Sequence, residues 1–432
     1  MFIKLPTKLE SMIGRIRLLR YTFVKNIFSV GILQIANYAI PILVIPFVTR
    51  ALGRDGFGTV SYAQNIIAYM TLLVTFGYEY SATQDVALVS KDKIKRAVVF
   101  WTVVKSRLRL FLISLLLLLL LSLFVGRIQE TPSLYFAAAM INLGVAIYPT
   151  WFFQGMEEMG KMAVAGFFIK FIGGLLVIAL VRTPADALLY LALMSGSYVV
   201  VGLAALVYVV KHYELPVSVP EMPEFSRSVR RRSYPIFLNA LFVSIYTIMG
   251  LTILGRYVDD GQLGIYSGAS RIIMAVMMII STPINVGIFP MISKAWDSSF
   301  VKGWMMFKKA LVGVILIGAA ASLAVYFTAP LLVSLLLGPE FQDSIPVLLV
   351  FSILPLLVTL ASLLTVQGLY GMQRQKLAPI VGFVTALFGL VAYLTAIPVA
   401  GIKGAAYAWV ASQIVEILVS STIIYIIKRN KK

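Results

Sequence analysis

Apolar residues in this chain run in long blocks, without the period-two alternation of membrane β-strands. A block of about 20 apolar residues crosses about 30 Å of hydrocarbon as a helix. Twelve such blocks are readable, at 27–48, 58–79, 100–125, 133–153, 163–181, 186–210, 234–254, 264–292, 310–336, 345–369, 377–397 and 402–427. The polar stretches between them are short, and the longest internal one, 211–233, carries His212. The pattern predicts an all-α integral membrane protein. Its parts are a basic arm (1–26), a six-helix bundle (27–210), a linker (211–233), a second six-helix bundle (234–427) and a basic tail (428–432). The arm lacks a small-residue cleavage site, so the first block reads as a retained helix rather than a signal peptide.

Composition sharpens this. The 432 residues are 60% hydrophobic and 13% charged, against roughly 45–50% and 25% in ordinary soluble domains. The net charge of +19 would suggest nucleic acid in a soluble protein. Here the cations follow the blocks. With both termini placed inside, 29 of the 37 lysines and arginines fall on that side, six outside and two within spans. That asymmetry is the positive-inside rule and predicts cytoplasmic termini; no nucleic-acid partner is needed. Zero cysteines and one histidine exclude thiolate metal sites, cysteine nucleophiles and an HExxH zinc motif. No GxxxxGK[ST] phosphate loop occurs. No catalytic residue, metal ligand or cofactor is expected.

The chain also repeats weakly. A shift of 206 sets Arg50 on Arg256, Gly58 on Gly264, Ser61 on Ser267, Ala63 on Ala269 and Ile66-Ile67 on Ile272-Ile273. A shift of 213 sets Gln154-Gly155 on Gln367-Gly368. Six spans per half is an even number, so the halves are expected to relate by a pseudo-twofold along the membrane normal, with a site between them.

Charges inside apolar blocks are costly and point to function by default. Lys170 lies in the fifth block, Arg271 in the eighth and Glu416 in the twelfth, and Glu79 closes the second. Arg271 and Lys170 predict a cationic cavity for an anionic ligand, because the guanidinium fork suits phosphate. The alternative is a buried pair such as Lys170 with Glu416, or snorkelling to an interface. Arg50 and Arg256, at the outer ends of the first and seventh blocks, either anchor helices or line the outer mouth. Gln34, Asn37, Asn65, Asn239 and Asn285 either line the cavity or join helices. Glu79, Asp85 and Glu416 are candidates for coupling an ion, and each could equally cap or pair. Pro41, Pro46, Pro283, Pro290 and Pro355 predict bends. The glycine-rich Gly53–Gly58 segment reads as a tight outer turn, and Glu157-Glu158 as a solvated pair.

Several segments resemble a known family. They are Pro46 with Thr49-Arg50-Ala51-Leu52-Gly53 and Phe57-Gly58; Trp151 through Glu157; Tyr257-Val258-Asp259-Asp260 with Leu263 through Tyr266; Leu336 through Phe341; and Gly401 through Ala406. In order and spacing, from about residue 26 to 420, they resemble the polysaccharide transporter family of O-antigen flippases. That family lies within the superfamily that includes the multidrug and toxic-compound extruders. The resemblance implies two six-helix bundles in a V and a non-enzymatic, ion-gradient-driven alternating-access carrier of the bacterial inner membrane. Its cargo would be an undecaprenyl-pyrophosphate-linked oligosaccharide, moved from the cytoplasmic to the periplasmic leaflet. Partners would be membrane lipids and the polymerase and chain-length proteins of the same pathway. Two other readings remain at this point: a drug or small-molecule exporter on the same fold, and a multi-span glycan polymerase or ligase. Basic mid-span charges argue against the first, and short outer loops against the second.

Overall fold

The computed structural model describes residues 7–220 and 222–430, with side chains at all of these except 7–39, 41, 161, 282–283, 285–287, 289–290 and 375. Among the described residues there is no strand. Helix α1 (Thr7–Thr75) holds the first two sequence blocks, and α2 (Tyr78–Leu88) extends the second. Next come α3 (Lys93–Ser122), α4 (Gly126–Glu130), α5 (Pro132–Ile147), α6 (Thr150–Gly155), α7 (Met159–Leu180) and α8 (Ala187–His212). The second half has α9 (Pro223–Thr247), α10 (Met249–Leu254), α11 (Asp260–Ser298), α12 (Phe300–Leu336), α13 (Ser344–Phe351), α14 (Leu354–Ser362), a π-helical stretch (Leu363–Tyr370) and α15 (Ala378–Arg429).

Seven described helical stretches are long and apolar enough to cross a membrane: Pro132–Gly155, Met162–Leu180, Pro184–His212, Asp260–Ser281, Phe300–Leu336, Ser344–Tyr370 and Ala378–Arg429. The last is two rods joined at Gly401, whose φ of 53° interrupts the helix. The remaining sequence blocks lie in α1, α3 and α9–α10.

Two expectations about connections need correction. The Gly53–Gly58 segment is not a separate turn. It is helical apart from one break at Gly53 (φ 64°), a left-handed conformation that glycine adopts without steric cost. The linker is also shorter than 211–233, because α9 begins at Pro223, whose fixed φ suits a first helical turn. The second repeat match shifts register too. Glu157 (φ 57°) and Gln373 (φ 59°) end corresponding Gly-Met-Glu/Gln turns, so the geometry pairs Gly155-Met156-Glu157 with Gly371-Met372-Gln373.

Local sequence sets the starts. Asp92 caps α3 by accepting from the N–H groups of Ile94 and Lys95 at 3.1 and 3.0 Å. The Lys95 N–H holds its carboxyl below the usual range. Asp259 caps α11 by accepting from the Gln262 N–H at 2.8 Å, and Ser299 caps α12 by accepting from Lys302 at 3.2 Å. Pro355 marks the expected bend, directly after the break that separates α13 from α14. At Pro46 the expected bend is absent, since α1 breaks only at Gly53; the side chains of Pro41, Pro283 and Pro290 lie outside the described ones.

The halves meet mainly along α1 and α11. Gly58 and Gly264 face each other there, as the shift of 206 set them in register. A Cβ on Gly58 would fall 1.8 Å from the Asp260 carbonyl oxygen, and one on Gly264 2.0 Å from that of Arg54. The two backbones therefore touch with no side chain between them. Around the crossing packs a core that includes Phe57, Leu263 and Phe341.

Candidate functional site

The α1–α11 crossing leaves a cavity of about 200 Å³ on its deeper side. Its walls come from α1 (Ser61, Gln64, Asn65), α10 (Leu251) and α11 (Tyr266, Ser270, Arg271), with Thr247 of α9. Arg271 is the charge in it. Its Nη2 donates to Gln64 Oε1 at 2.6 Å and to Ser61 Oγ at 3.1 Å, and its guanidinium carbon sits 4.7 Å from the centre of the Phe57 ring. Among the described residues, no carboxylate lies within ion-pair distance of it. Neutral dipoles and an aromatic face thus hold a half-buried cation, an arrangement that leaves it attractive to an anion.

Asn65 stands where the repeat aligns it, across the same cavity from Arg271. Its Nδ2 donates to Thr252 Oγ1 at 2.7 Å, and Thr252 donates on to the Tyr69 hydroxyl at 3.2 Å. The interface at mid-depth is therefore a belt of neutral hydrogen-bonding groups around one guanidinium.

The other sequence candidates lie elsewhere. Lys170 is buried in α7 of the first half, its Nζ 4.0 Å from the centre of the Tyr198 ring on α8, and it does not line this cavity. Arg50 is exposed at the first-loop end. Its Nη2 donates to the Leu335 carbonyl at 3.1 Å and its Nη1 to that of Pro46 at 2.7 Å, so it stands as a cation at the α12 C-terminus, where the helix dipole favours one. Arg256 is exposed just past α10. Asn239 faces α15 at Gly382 inside the second half. Glu416 sits beside Tyr246 and Gln413. The side chains of Gln34, Asn37 and Asn285 lie outside the described ones.

Two of the three carboxylates proposed for ion coupling, Glu79 and Asp85, are in ion pairs. Glu79 Oε1 accepts from Arg107 at 3.0 Å and its Oε2 from Thr150 at 2.8 Å, within the first half. Asp85 is 7% exposed and accepts from Arg232 of α9 at 2.7 Å, joining the two halves at the linker end. There Ser81 and Ser233 hydroxyls also meet at 2.6 Å, and the Phe76 and Phe237 rings stack at 4.9 Å. The first-loop end is tied as well. Arg127 binds Asp260 and donates to the Gly255 and Val258 carbonyls at 2.7 Å, while Thr59 donates to Asp260 at 2.7 Å. The cavity thus lies between two cross-half fastenings.

Sequence reasoning missed Arg107, Arg127 and Arg232, which it assigned to loop charge. Arg107 had a signal: it completes a buried stripe on α3 with Phe100, Val103, Val104, Phe111, Ser114 and Leu118. That is helical spacing for an inward face.

Comparisons with known proteins agree with this architecture. Residues 23–296, more than half the chain, match the family described as "Polysaccharide biosynthesis protein". The chain belongs to that family. A relative from Escherichia coli (strain K12), named "Putative O-antigen transporter", is 27% identical over 407 residues, covering 94% of this chain and 97% of the relative. Among solved structures, the lipid II flippase MurJ in an inward closed conformation superposes with a TM-score of 0.73 at 11% identity, covering 94% of this chain and 87% of that one. An inward-facing multidrug-resistance MATE family transporter of the MOP superfamily gives 0.66 at 14% identity, covering 94% and 100%. At such identities the likeness shows the fold: the all-helical, two-bundle, twelve-span architecture of the MATE and MurJ proteins.

Proposed function

We propose that this family member is a flippase. It carries undecaprenyl-pyrophosphate-linked O-antigen, or a related polysaccharide repeat unit, from the cytoplasmic to the periplasmic leaflet of a bacterial inner membrane. The observation that supports this most is Arg271: a cation at the seam of two bundles, held by neutral groups, between one fastening at each end. A diphosphate is the anionic part of such a cargo. Crossing unaided would strip that headgroup of water, at a cost of tens of kcal/mol for isolated charges. In the cavity, Arg271 replaces lost hydration with charge-assisted hydrogen bonds. The isoprenoid tail can stay in lipid throughout.

The two fastenings support alternating access. Releasing Asp85–Arg232 opens the linker end, and releasing Arg127–Asp260 opens the first-loop end. The basic asymmetry supports a cytoplasmic linker end and cytoplasmic termini. Membrane lipids are its surroundings, and the polymerase and chain-length proteins of the pathway would take up its product. We extend the reading to an ion gradient as driving force, with Asp85 and Glu79 as groups whose pairing a cation could contest. Lys170, Arg50 and Arg256 remain secondary candidates for headgroup contact.

The test uses cells lacking this protein with the glycan pathway otherwise intact, and asks which leaflet holds the lipid-linked oligosaccharide. The probe is an external glycan-modifying enzyme. The wild type should move the intermediate outside and Arg271→Ala should leave it inside. Arg271→Lys keeps the charge and loses the fork, so it should transport roughly tenfold more slowly than wild type, as expected for one lost charge-assisted bond. An intermediate already outside without the protein would remove the flippase reading. Normal transport by Arg271→Ala would remove the cavity assignment alone.

A further inference from the structure

Arg271 belongs to the second half, and the groups that hold it belong to the first. Its Nη2 donates to Gln64 Oε1 at 2.6 Å and to Ser61 Oγ at 3.1 Å, and the Phe57 ring against it is also on α1. Among the described residues its other nitrogens make no hydrogen bond to the protein. The guanidinium is therefore itself a tie across the seam, at mid-depth between the two end fastenings. On its own helix a hydroxyl stands ready beside it. Ser267 lies one turn before Arg271 on the same face of α11 and lines the same cavity. Its Oγ is buried and, among the described residues, has no hydrogen-bond partner. The next hydroxyl, Ser270, donates back to the Tyr266 carbonyl at 2.8 Å.

A buried hydroxyl is normally hydrogen-bonded, and one that is not calls for an explanation. The repeat sets Ser61 on Ser267, so each wall of the cavity carries a hydroxyl. Arg271 engages the one on the opposite wall and not the one on its own. Gln64 Oε1 is a neutral acceptor in the place that a phosphate oxygen would take towards a guanidinium. A hydrogen bond to a charged oxygen is roughly twice as strong as one to a neutral oxygen. A phosphate therefore wins Nη2 from Gln64, and a second phosphate oxygen can accept from the Ser267 hydroxyl. Both donors then sit on α11, and none of these bonds crosses to α1.

We propose that Gln64 and Ser61 are an internal stand-in for the cargo's diphosphate: they occupy Arg271 across the seam, and the headgroup displaces them by binding to Arg271 and Ser267 on α11 alone. This rests on the flippase reading, which places the headgroup at Arg271, and adds what the α1 wall does. Cargo and closed seam compete for one nitrogen, so loading releases the middle tie between the halves. Once the headgroup leaves, Gln64 and Ser61 take the guanidinium back, and the carrier returns without a stranded charge at mid-depth. Gln64 also sets a threshold of selection, because a ligand too weakly anionic to displace its amide leaves the seam shut.

The experiment measures the affinity of inorganic pyrophosphate for the whole protein in phosphatidylcholine nanodiscs, by calorimetry, with Tm followed in parallel. Pyrophosphate carries the anionic part of the cargo without its lipid or glycan. A group that competes with the ligand and one that merely supports Arg271 predict opposite signs. Gln64→Met keeps the side-chain length and removes the acceptor. It should bind pyrophosphate roughly three- to tenfold more tightly than wild type, since the ligand has one hydrogen bond fewer to displace. Gln64→Glu supplies a fixed anion, so it should bind roughly tenfold or more weakly and raise the Tm of the ligand-free protein. Ser267→Ala should bind roughly three- to tenfold more weakly, and Arg271→Ala should lose binding. Should Gln64→Met fail to fold, Ser61→Ala removes the longer of the two bonds and should tighten binding in the same direction. The proposal is overturned if the variant lacking the α1 acceptor binds no more tightly than wild type, if Gln64→Glu binds as wild type does, or if Ser267→Ala binds undiminished. In those cases Arg271→Ala still abolishes binding, and the flippase reading with its cavity stands. A wild type that fails to bind, or an Arg271→Ala that binds undiminished, removes the cavity assignment and this proposal with it.

Discussion

Two arginines show what one residue's surroundings decide. Arg271 and Arg107 both leave water, yet one meets amides and hydroxyls and the other a carboxylate. Arg107 is 1% exposed and shares Glu79 with Thr150. Such a pair adds little net stability over apolar groups of similar shape, but breaking it strands a charge. Glu79 is partly exposed and keeps Thr150, so Arg107→Leu is expected to destabilise the protein by about 1–3 kcal/mol. Arg107→Leu/Glu79→Gln should regain most of that loss. Thermal unfolding of the two variants checks it, and equal losses in both would show that Glu79 is not the group left stranded. Arg271 was legible in the sequence because a guanidinium in an apolar run stands out. Arg107 was hidden between Lys105 and Arg109, and only the stripe through Phe100, Val103, Val104 and Phe111 distinguishes it. Its partner, 28 positions earlier at the end of another block, could not be read from spacing.

Among the elements, α1 and α11 carry the most consequence per residue. Their contact is made by main chain at Gly58 and Gly264, and a methyl on either would strike a carbonyl oxygen rather than a movable side chain. Gly58→Ala should cost about 1–3 kcal/mol by overpacking, and should hold the first-loop end apart. The expected outcome is membrane-inserted protein with lowered Tm and impaired transport; unchanged transport would mean that this end need not close so tightly. The repeat had placed both glycines in register, so their equivalence was readable while their mutual contact was not. Helix positions followed from apolar length, which hydrocarbon thickness dictates. Breaks were harder: the sequence marked Pro355 correctly, but treated Gly53–Gly58 as a turn when a single positive φ at Gly53 suffices.

At the scale of the whole molecule, two bundles are fastened at both ends around a small polar seam. Ser81 and Ser233 meet with their oxygens 2.6 Å apart at the linker end, close enough for a disulfide once both are replaced. The chain has no cysteine of its own, so Ser81→Cys/Ser233→Cys introduces a single defined bridge. Oxidation should stop transport and reduction should restore it; transport by the fully bridged protein would rule out opening at this end. The two-bundle plan was legible from block count and charge asymmetry, whereas the fastenings were not, because Asp85 and Arg232 sit in different halves with no periodicity linking them. The glycine crossing also acts as a bearing. Two main chains in contact have no rotamers with which to absorb a small shift, so motion there is turned into rotation. From Gly264, α11 runs on to Ser298 as continuous helix, a length of about 50 Å. With the pivot that close to one end, a tilt of roughly 10° sweeps the far tip through about 9 Å along such a lever, so a sub-ångström adjustment at the crossing becomes an opening wide enough for a sugar at the other side.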